Sequence, residues 1–123
     1  MKTTAVVVQN VIRVLGVILI VLGFMFWTKH SYDLIPLHIR LGVSLVVLLW
    51  IMAVLGIVAK VKPMLTVGSI LWGALVAIFG MKMGAWLPGT AHEAIRVLHF
   101  LIGVIAIGLS EMVAVRIRRN ARL

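Results

Sequence analysis

Four stretches of the chain are apolar at nearly every position, and short polar breaks separate them, over residues 5–27, 37–59, 63–86 and 93–115. Each is long enough to cross a hydrocarbon core about 30 Å thick at about 1.5 Å of rise per helical residue. A membrane β-barrel would need strands alternating at period two, whereas Val43 to Val58 is apolar on every side apart from Ser44. The pattern predicts an all-α membrane protein: a single domain over residues 1–123, built as a four-transmembrane-helix up-down bundle. Its helices are expected at about 5–27, 37–59, 63–86 and 91–117, the last extended by its polar flanks. The first run follows Lys2 as a signal peptide would. It is too long for such an apolar region, and it ends in Phe26-Trp27-Thr28-Lys29 without a small-residue cleavage site, so it reads as a helix.

A repeat lies beneath this pattern. Leu15 to Gly23 corresponds to Trp72 to Gly80 at an offset of 57, which aligns Gly16 with Gly73 and Gly23 with Gly80. In the second and fourth spans, His38 and Gly42 map onto His99 and Gly103 at an offset of 61. The chain therefore reads as two tandem helical hairpins dividing near residue 62. Each hairpin crosses the membrane twice, so the halves share an orientation and a pseudo-two-fold axis along the membrane normal relates them. In an up-down bundle the second and fourth helices are then diagonal partners, and His38 and His99 can face each other across the interior.

Composition agrees with the bundle and narrows its chemistry. Hydrophobic residues make up 63% of the 123, and the mean hydropathy is +1.22. The net charge of +9 could suggest nucleic acid, but the basic residues flank the spans instead of interleaving with aromatics. They serve better as topology signals. Lys2, Arg13, Lys60, Lys62, Arg116, Arg118, Arg119 and Arg122 stand on the side of the termini, against Lys29, Arg40, Lys82 and Arg96 on the other, which places both termini in the cytoplasm. No cysteine is present, so disulfides, thiolate metal sites, covalently attached haem and iron–sulfur clusters are excluded.

An ionisable residue inside a membrane span is costly and marks a functional site by default. Two equivalent imidazoles facing one another suit the axial ligation of one haem b, with a nitrogen on each side of the iron. Gly42 and Gly103, four residues after each histidine and on the same helical face, would clear room for the macrocycle. Gly16, Gly23, Gly73 and Gly80 would give the first and third helices matching grooves. Arg96, and with it Arg40, Lys29 and Lys82, forms an outer cationic layer suited to the haem propionates. Simpler readings stand beside this one: a lone histidine near a helix end often serves the interface, and glycine pairs often serve close helix packing.

The remaining polar residues are less specific. Thr90 and Glu93 form a capping box for the fourth helix, and Asp33 with Pro36 would open the second, so both histidines lie just below the outer surface. His30 and His92 suit an outer-surface role, beside a propionate or in proton transfer; with Asp33 and Glu93 they leave a zinc site open. Arg13 and Glu111 lie at similar depth in the inner half and are expected to pair, with a proton path or lipid contact as the alternative. No histidine occurs there, so no second haem is expected. Trp27 and Trp86 read as interface anchors, and the deeper Trp50 and Trp72 as packing residues by default, with contact to a ring or an electron carrier as the alternative.

A small four-helix bundle with His38-x3-Gly42 and His99-x3-Gly103 on its helices resembles the membrane b-type cytochromes, especially the bacterial cytochrome b561 group. The resemblance is architectural and spans the whole chain in outline. Members of that group exchange electrons with quinones and include superoxide oxidase; they usually hold two haems, and the inner pair of histidines is absent here. The phrases Leu34-Ile35-Pro36-Leu37-His38 and Arg96-Val97-Leu98-His99 also resemble short bacterial membrane proteins, a likeness that implies no function.

The expected protein is thus a minimal membrane cytochrome b of the bacterial inner membrane, with its haem near the periplasmic face. It would carry single electrons, exchange them with the quinone pool and draw superoxide to its cationic outer ring, which would make it a quinone-linked oxidoreductase. Its other surroundings are membrane lipid, with a homo-oligomer allowed and no nucleic acid. Two other classes stay open: haem uptake, transfer or sensing, and a haem-free assembly subunit.

Overall fold

A computed structural model describes residues 2–28, 32–82 and 92–121. Four α-helices carry nearly all of them: α1 (Lys2–Trp27), α2 (Ile35–Val58), α3 (Pro63–Lys82) and α4 (His92–Ala121). All four are long and apolar enough to cross a membrane, and no strand occurs among the described residues. The protein is a multi-pass membrane four-helix bundle.

The helix ends differ from the sequence expectation for local reasons. A 3₁₀ turn, Tyr32–Leu34, runs directly into α2, so Leu34 and not Asp33 takes the cap position, with no side-chain hydrogen bond. Pro36 makes that tolerable, because it lacks the N–H a cap would satisfy. α4 continues to Ala121, where Arg118 and Arg119 in its last turn complement the helix dipole. Residues 83–91, including the expected end of the third helix, Trp86 and the Thr90 half of the capping box, lie outside the described residues, as do Lys29 and His30.

Each helix packs on its sequence neighbours, α1 closes the ring against α4, and α2 meets α4 across the interior. This is the diagonal the repeat anticipates. Lipid offers no hydrophobic drive for helices to associate, so small residues let the backbones come close. Ala5, Ala53, Ala106 and Ala114 are fully buried, and a Cβ on Gly56 would lie 2.8 Å from Thr66 Cγ2 and 3.0 Å from Val113 Cγ1. The buried Ser69 and Ser110 hydroxyls donate to Leu65 O and Ile107 O, both at 2.7 Å, which satisfies them within their own helices. Apolar packing concentrates toward the end that carries the termini, around Val8, Ile12, Met52, Val113 and Ile117. A smaller cluster of Phe79, Ile95 and Ile102 lies at the opposite end.

The turn from α2 to α3 closes by Val61 N–H donating to Gly56 O at 2.9 Å and Lys60 N–H to Ile57 O at 3.1 Å, with Lys60 at φ 62°. Asn120 donates from Nδ2 to Ala59 O at 2.9 Å and ties α4 to the same turn. Left-handed backbone is unfavourable for any residue with a Cβ, so Lys60→Gly is expected to stabilise the fold by roughly 0.5–1 kcal/mol, read as a rise in the unfolding midpoint.

Arg13 and Glu111 do pair. The guanidinium donates to both carboxylate oxygens, through Nε to Oε1 and through Nη2 to Oε2 at 2.8 Å, while Gln9 Nε2 donates to Oε2 and Arg13 Nη1 donates to Asn10 Oδ1 at 3.3 Å. The amides of Gln9 and Asn10 are parts of this cluster that charge counting alone passes over. Glu111→Leu strands the cation inside its span and should lower the melting midpoint in micelles more than the double variant R13L/E111L, which removes both charges. Trp50 and Trp72 are packing residues: their indoles donate across helices to Ile70 O at 3.0 Å and Ile102 O at 2.8 Å.

A paired-histidine cavity as candidate cofactor site

His38 lies one turn into α2 and His99 two turns into α4, and the α2–α4 diagonal brings them together. Their ring centroids are 6.3 Å apart, with the planes inclined at 61°. Both are half-buried, and the Nδ1 atom of each is buried without a hydrogen-bond partner. An unpaired buried polar atom costs about 1–3 kcal/mol. Two of them at one place mark a position suited to a group outside the polypeptide.

The histidines border a cavity of about 500 Å³ walled by all four helices, a size typical of organic ligand sites. Its walls obey the internal repeat. On α4, Arg96, His99, Phe100, Gly103, Val104 and Ile107 line it, and at an offset of 61 so do Ile35, His38, Ile39, Gly42, Val43 and Val46 on α2. On α3, Val76, Ala77, Gly80 and Met81 line it, and at an offset of 57 so do Leu19, Ile20, Gly23 and Phe24 on α1. The one charge among these pairs is Arg96, which faces Ile35 across the pseudo-axis. Several wall residues, among them Phe24, Ile39, Val43 and Val104, are exposed, so the cavity is open and not sealed within the bundle.

The glycines divide by task. A Cβ on Gly23 would lie 4.0 Å from His38 Cε1, and one on Gly80 would lie 3.3 Å from His99 Cε1. Each hairpin thus seats the histidine of its second helix against the second glycine of its first. Gly16 and Gly73 serve packing instead: added Cβ atoms would come within 2.7 Å of Ile107 Cδ1 and 2.6 Å of Trp50 Nε1. At Gly42 and Gly103 a Cβ would meet nothing within 4 Å, because both face the open cavity.

Other expected residues are placed less centrally. Arg96 lines the cavity; Arg40 is exposed and is not among the lining residues, consistent with its position two residues from His38 on a different helical face. Lys29 and His30 lie outside the described residues, and the side chains of Lys82, His92 and Glu93 are not described either, so the expected zinc set and most of the cationic ring fall there. Among the described residues no cluster of three or more His, Cys, Asp or Glu occurs.

Aromatic neighbours of the histidines were not anticipated. Phe26 meets His38 edge-on at 5.4 Å and Phe79 stacks on His99 at 6.0 Å and 6°, while Phe24 and Phe100 meet at 5.6 Å on the cavity wall. Phe26 and Phe79 are not related by the repeat. Applying the offset of 61 along the whole of α2 would have found Phe100, opposite Ile39, and no comparable signal existed for the other two.

Two imidazoles held in this way offer nitrogen donors to one apolar enclosure with a cation at its rim. Such a set can hold a single metal centre from two sides while leaving its remaining positions to another ligand. Comparison of the chain with protein-family models, with curated proteins and with solved structures finds no match. The class is accordingly stated from the fold: a helical multi-pass membrane protein with a pseudo-symmetric, histidine-lined cavity.

Proposed function

We propose that the protein is a membrane haem b protein that carries single electrons, holding one haem between His38 and His99. The observation that carries this reading is the histidine spacing. A metal–imidazole bond of about 2.0–2.1 Å, plus about 1 Å from nitrogen to ring centre, sets two rings that share one metal from opposite sides roughly 6 Å apart. The centroids here are 6.3 Å apart. The unpartnered Nδ1 atoms, the open space at Gly42 and Gly103 and the cavity volume fit the same group.

Bound haem supplies one-electron redox chemistry, with a potential set by its axial ligands and surroundings. The chain's own residues hold and shield it. His38 and His99 would hold it through their imidazole nitrogens, Gly23 and Gly80 seat the rings, and the apolar walls limit water. Arg96 at the rim is suited to a propionate through a charge-assisted hydrogen bond. The exposed wall residues give a lipid-soluble quinone a route to the cavity edge.

On the count of basic residues the termini lie in the cytoplasm and the cavity near the periplasmic face of a bacterial inner membrane. There, Lys29, Arg40, Lys82 and Arg96 would steer an anion such as superoxide. The purified protein is expected to show the absorption spectrum of low-spin, bis-histidine haem and to be reduced by a soluble quinol. A haem-loaded protein that quinol does not reduce and that surrenders haem rapidly to a haem-binding acceptor would instead be a haem-transfer or haem-sensing protein, a reading the open cavity wall also suits. Colourless protein from haem-replete cells would reject both in favour of a haem-free assembly subunit.

A further inference from the structure

Polar groups at membrane depth are costly against lipid, and an outward face of α1 carries one. On α1, Val7, Asn10, Val14, Val17 and Val21 follow one another at steps of three and four residues and are all exposed; the four valines are between 52% and 62% exposed. Taking the span as Thr3–Phe26, Asn10 lies about 7 Å from its middle at about 1.5 Å per residue, well inside the hydrocarbon. Its carbonyl oxygen accepts from Arg13, and its amide nitrogen makes no hydrogen bond among the described residues. The exposed row of α3, from Met64 through Leu71 and Ile78 to Met81, is apolar, and the exposed Ser44 of α2 already donates to Arg40 O at 2.9 Å. Arg40 of α2 is also exposed, but its long side chain can carry the charge toward the surface, which the short Asn10 amide cannot do.

We infer that two copies of this chain associate through α1 as a parallel dimer, with Asn10 of each copy bonded to the same residue of the other. A lipid tail offers nothing to an amide, whereas a carboxamide carries a donor and an acceptor and is complementary to its own copy across a two-fold axis. Membrane insertion gives both copies the same orientation, so a two-fold along the membrane normal sets α1 parallel to its copy. The period of 3.5 is that of a left-handed helix pair, the common crossing in membranes, and a single asparagine in a row of β-branched residues fixes its register. Arg13, bonded to the Asn10 oxygen and to Glu111, holds the amide in place. This inference is independent of the haem reading, since the face lies outside the histidine cavity.

The chain has no cysteine, so single cysteines report the contact directly. In membranes treated with a mild oxidant, Val14→Cys and Val17→Cys should each form a disulfide dimer and Leu71→Cys should not. Asn10→Leu in the Val14→Cys background should lower the dimer yield about fivefold at limiting protein-to-lipid ratio, the scale of one interhelical amide bond. Photobleaching of labelled, otherwise unsubstituted protein in lipid vesicles should give two steps. Equal cross-linking at Leu71→Cys, a yield indifferent to Asn10→Leu, or single-step bleaching alone would overturn the dimer; the last would mean that lipid or a different protein covers this face.

Discussion

Protein carrying His38→Ala or His99→Ala is expected to emerge from haem-replete cells helical, folded and colourless. Each substitution removes one of the two imidazoles that the proposed haem site requires, whose ring centroids stand 6.3 Å apart. Even outer-sphere partners of metal sites typically carry about 10–100-fold in affinity, so losing a proposed ligand itself should lower haem affinity by about 100-fold or more. The bundle should survive, because neither histidine belongs to the apolar core near the termini and neither Nδ1 is bonded to protein. Circular dichroism and unfolding midpoint separate the two effects: absorbance lost with helicity kept is the expected pair of results. His99→Met supplies a second kind of axial donor, and should retain haem with a raised reduction potential. Alanine variants that both keep the low-spin spectrum would reject the ligand assignment.

Gly80→Val should have nearly as large an effect without touching a ligand. A bare Cβ at this position already stands 3.3 Å from His99 Cε1, tighter than ordinary contact, and the two added methyl groups must push the ring from its seat. Overpacking of this kind costs about 1–3 kcal/mol, and 1.4 kcal/mol is about tenfold in an equilibrium. Titration with haem should therefore show affinity reduced by about tenfold or more. Gly23→Val should be milder, because the corresponding distance to His38 Cε1 is 4.0 Å, and Gly68→Val should leave affinity unchanged, since a Cβ there meets nothing within 4 Å. Equal affinity in the Gly80 and Gly68 variants would show that the glycine does not position the histidine.

The graded glycine effects bear on how much could be read from the chain without coordinates. Period and spacing alone pointed to His38 and His99 and paired them with Gly42 and Gly103, because duplication leaves a regular offset that survives divergence of everything else. The same pattern could not say which glycine does what. Gly16, Gly23, Gly73 and Gly80 look alike along the sequence, yet two seat imidazoles and two receive Ile107 and Trp50. Helix rotation decides that, and rotation is set by how all four surfaces pack. Likewise Arg40 and Arg96 are both cations near a histidine, but a step of two residues carries Arg40 off the face that a step of three keeps for Arg96.

By itself the sequence determined the number of spans, the all-helical class, the tandem hairpins and the two histidines that stand out in them. Hydrocarbon permits few backbone solutions, and residue spacing along one chain records a repeat directly. Only the tertiary structure decided that the α2–α4 diagonal closes to put the imidazoles within reach of a shared ligand, that the cavity walls follow the repeat at pair after pair, that Gln9 and Asn10 join the Arg13–Glu111 cluster, and that Leu34 displaces Asp33 as a cap. Each of these depends on distances between groups far apart in the chain, where small rotations of packed helices exchange one neighbour for another.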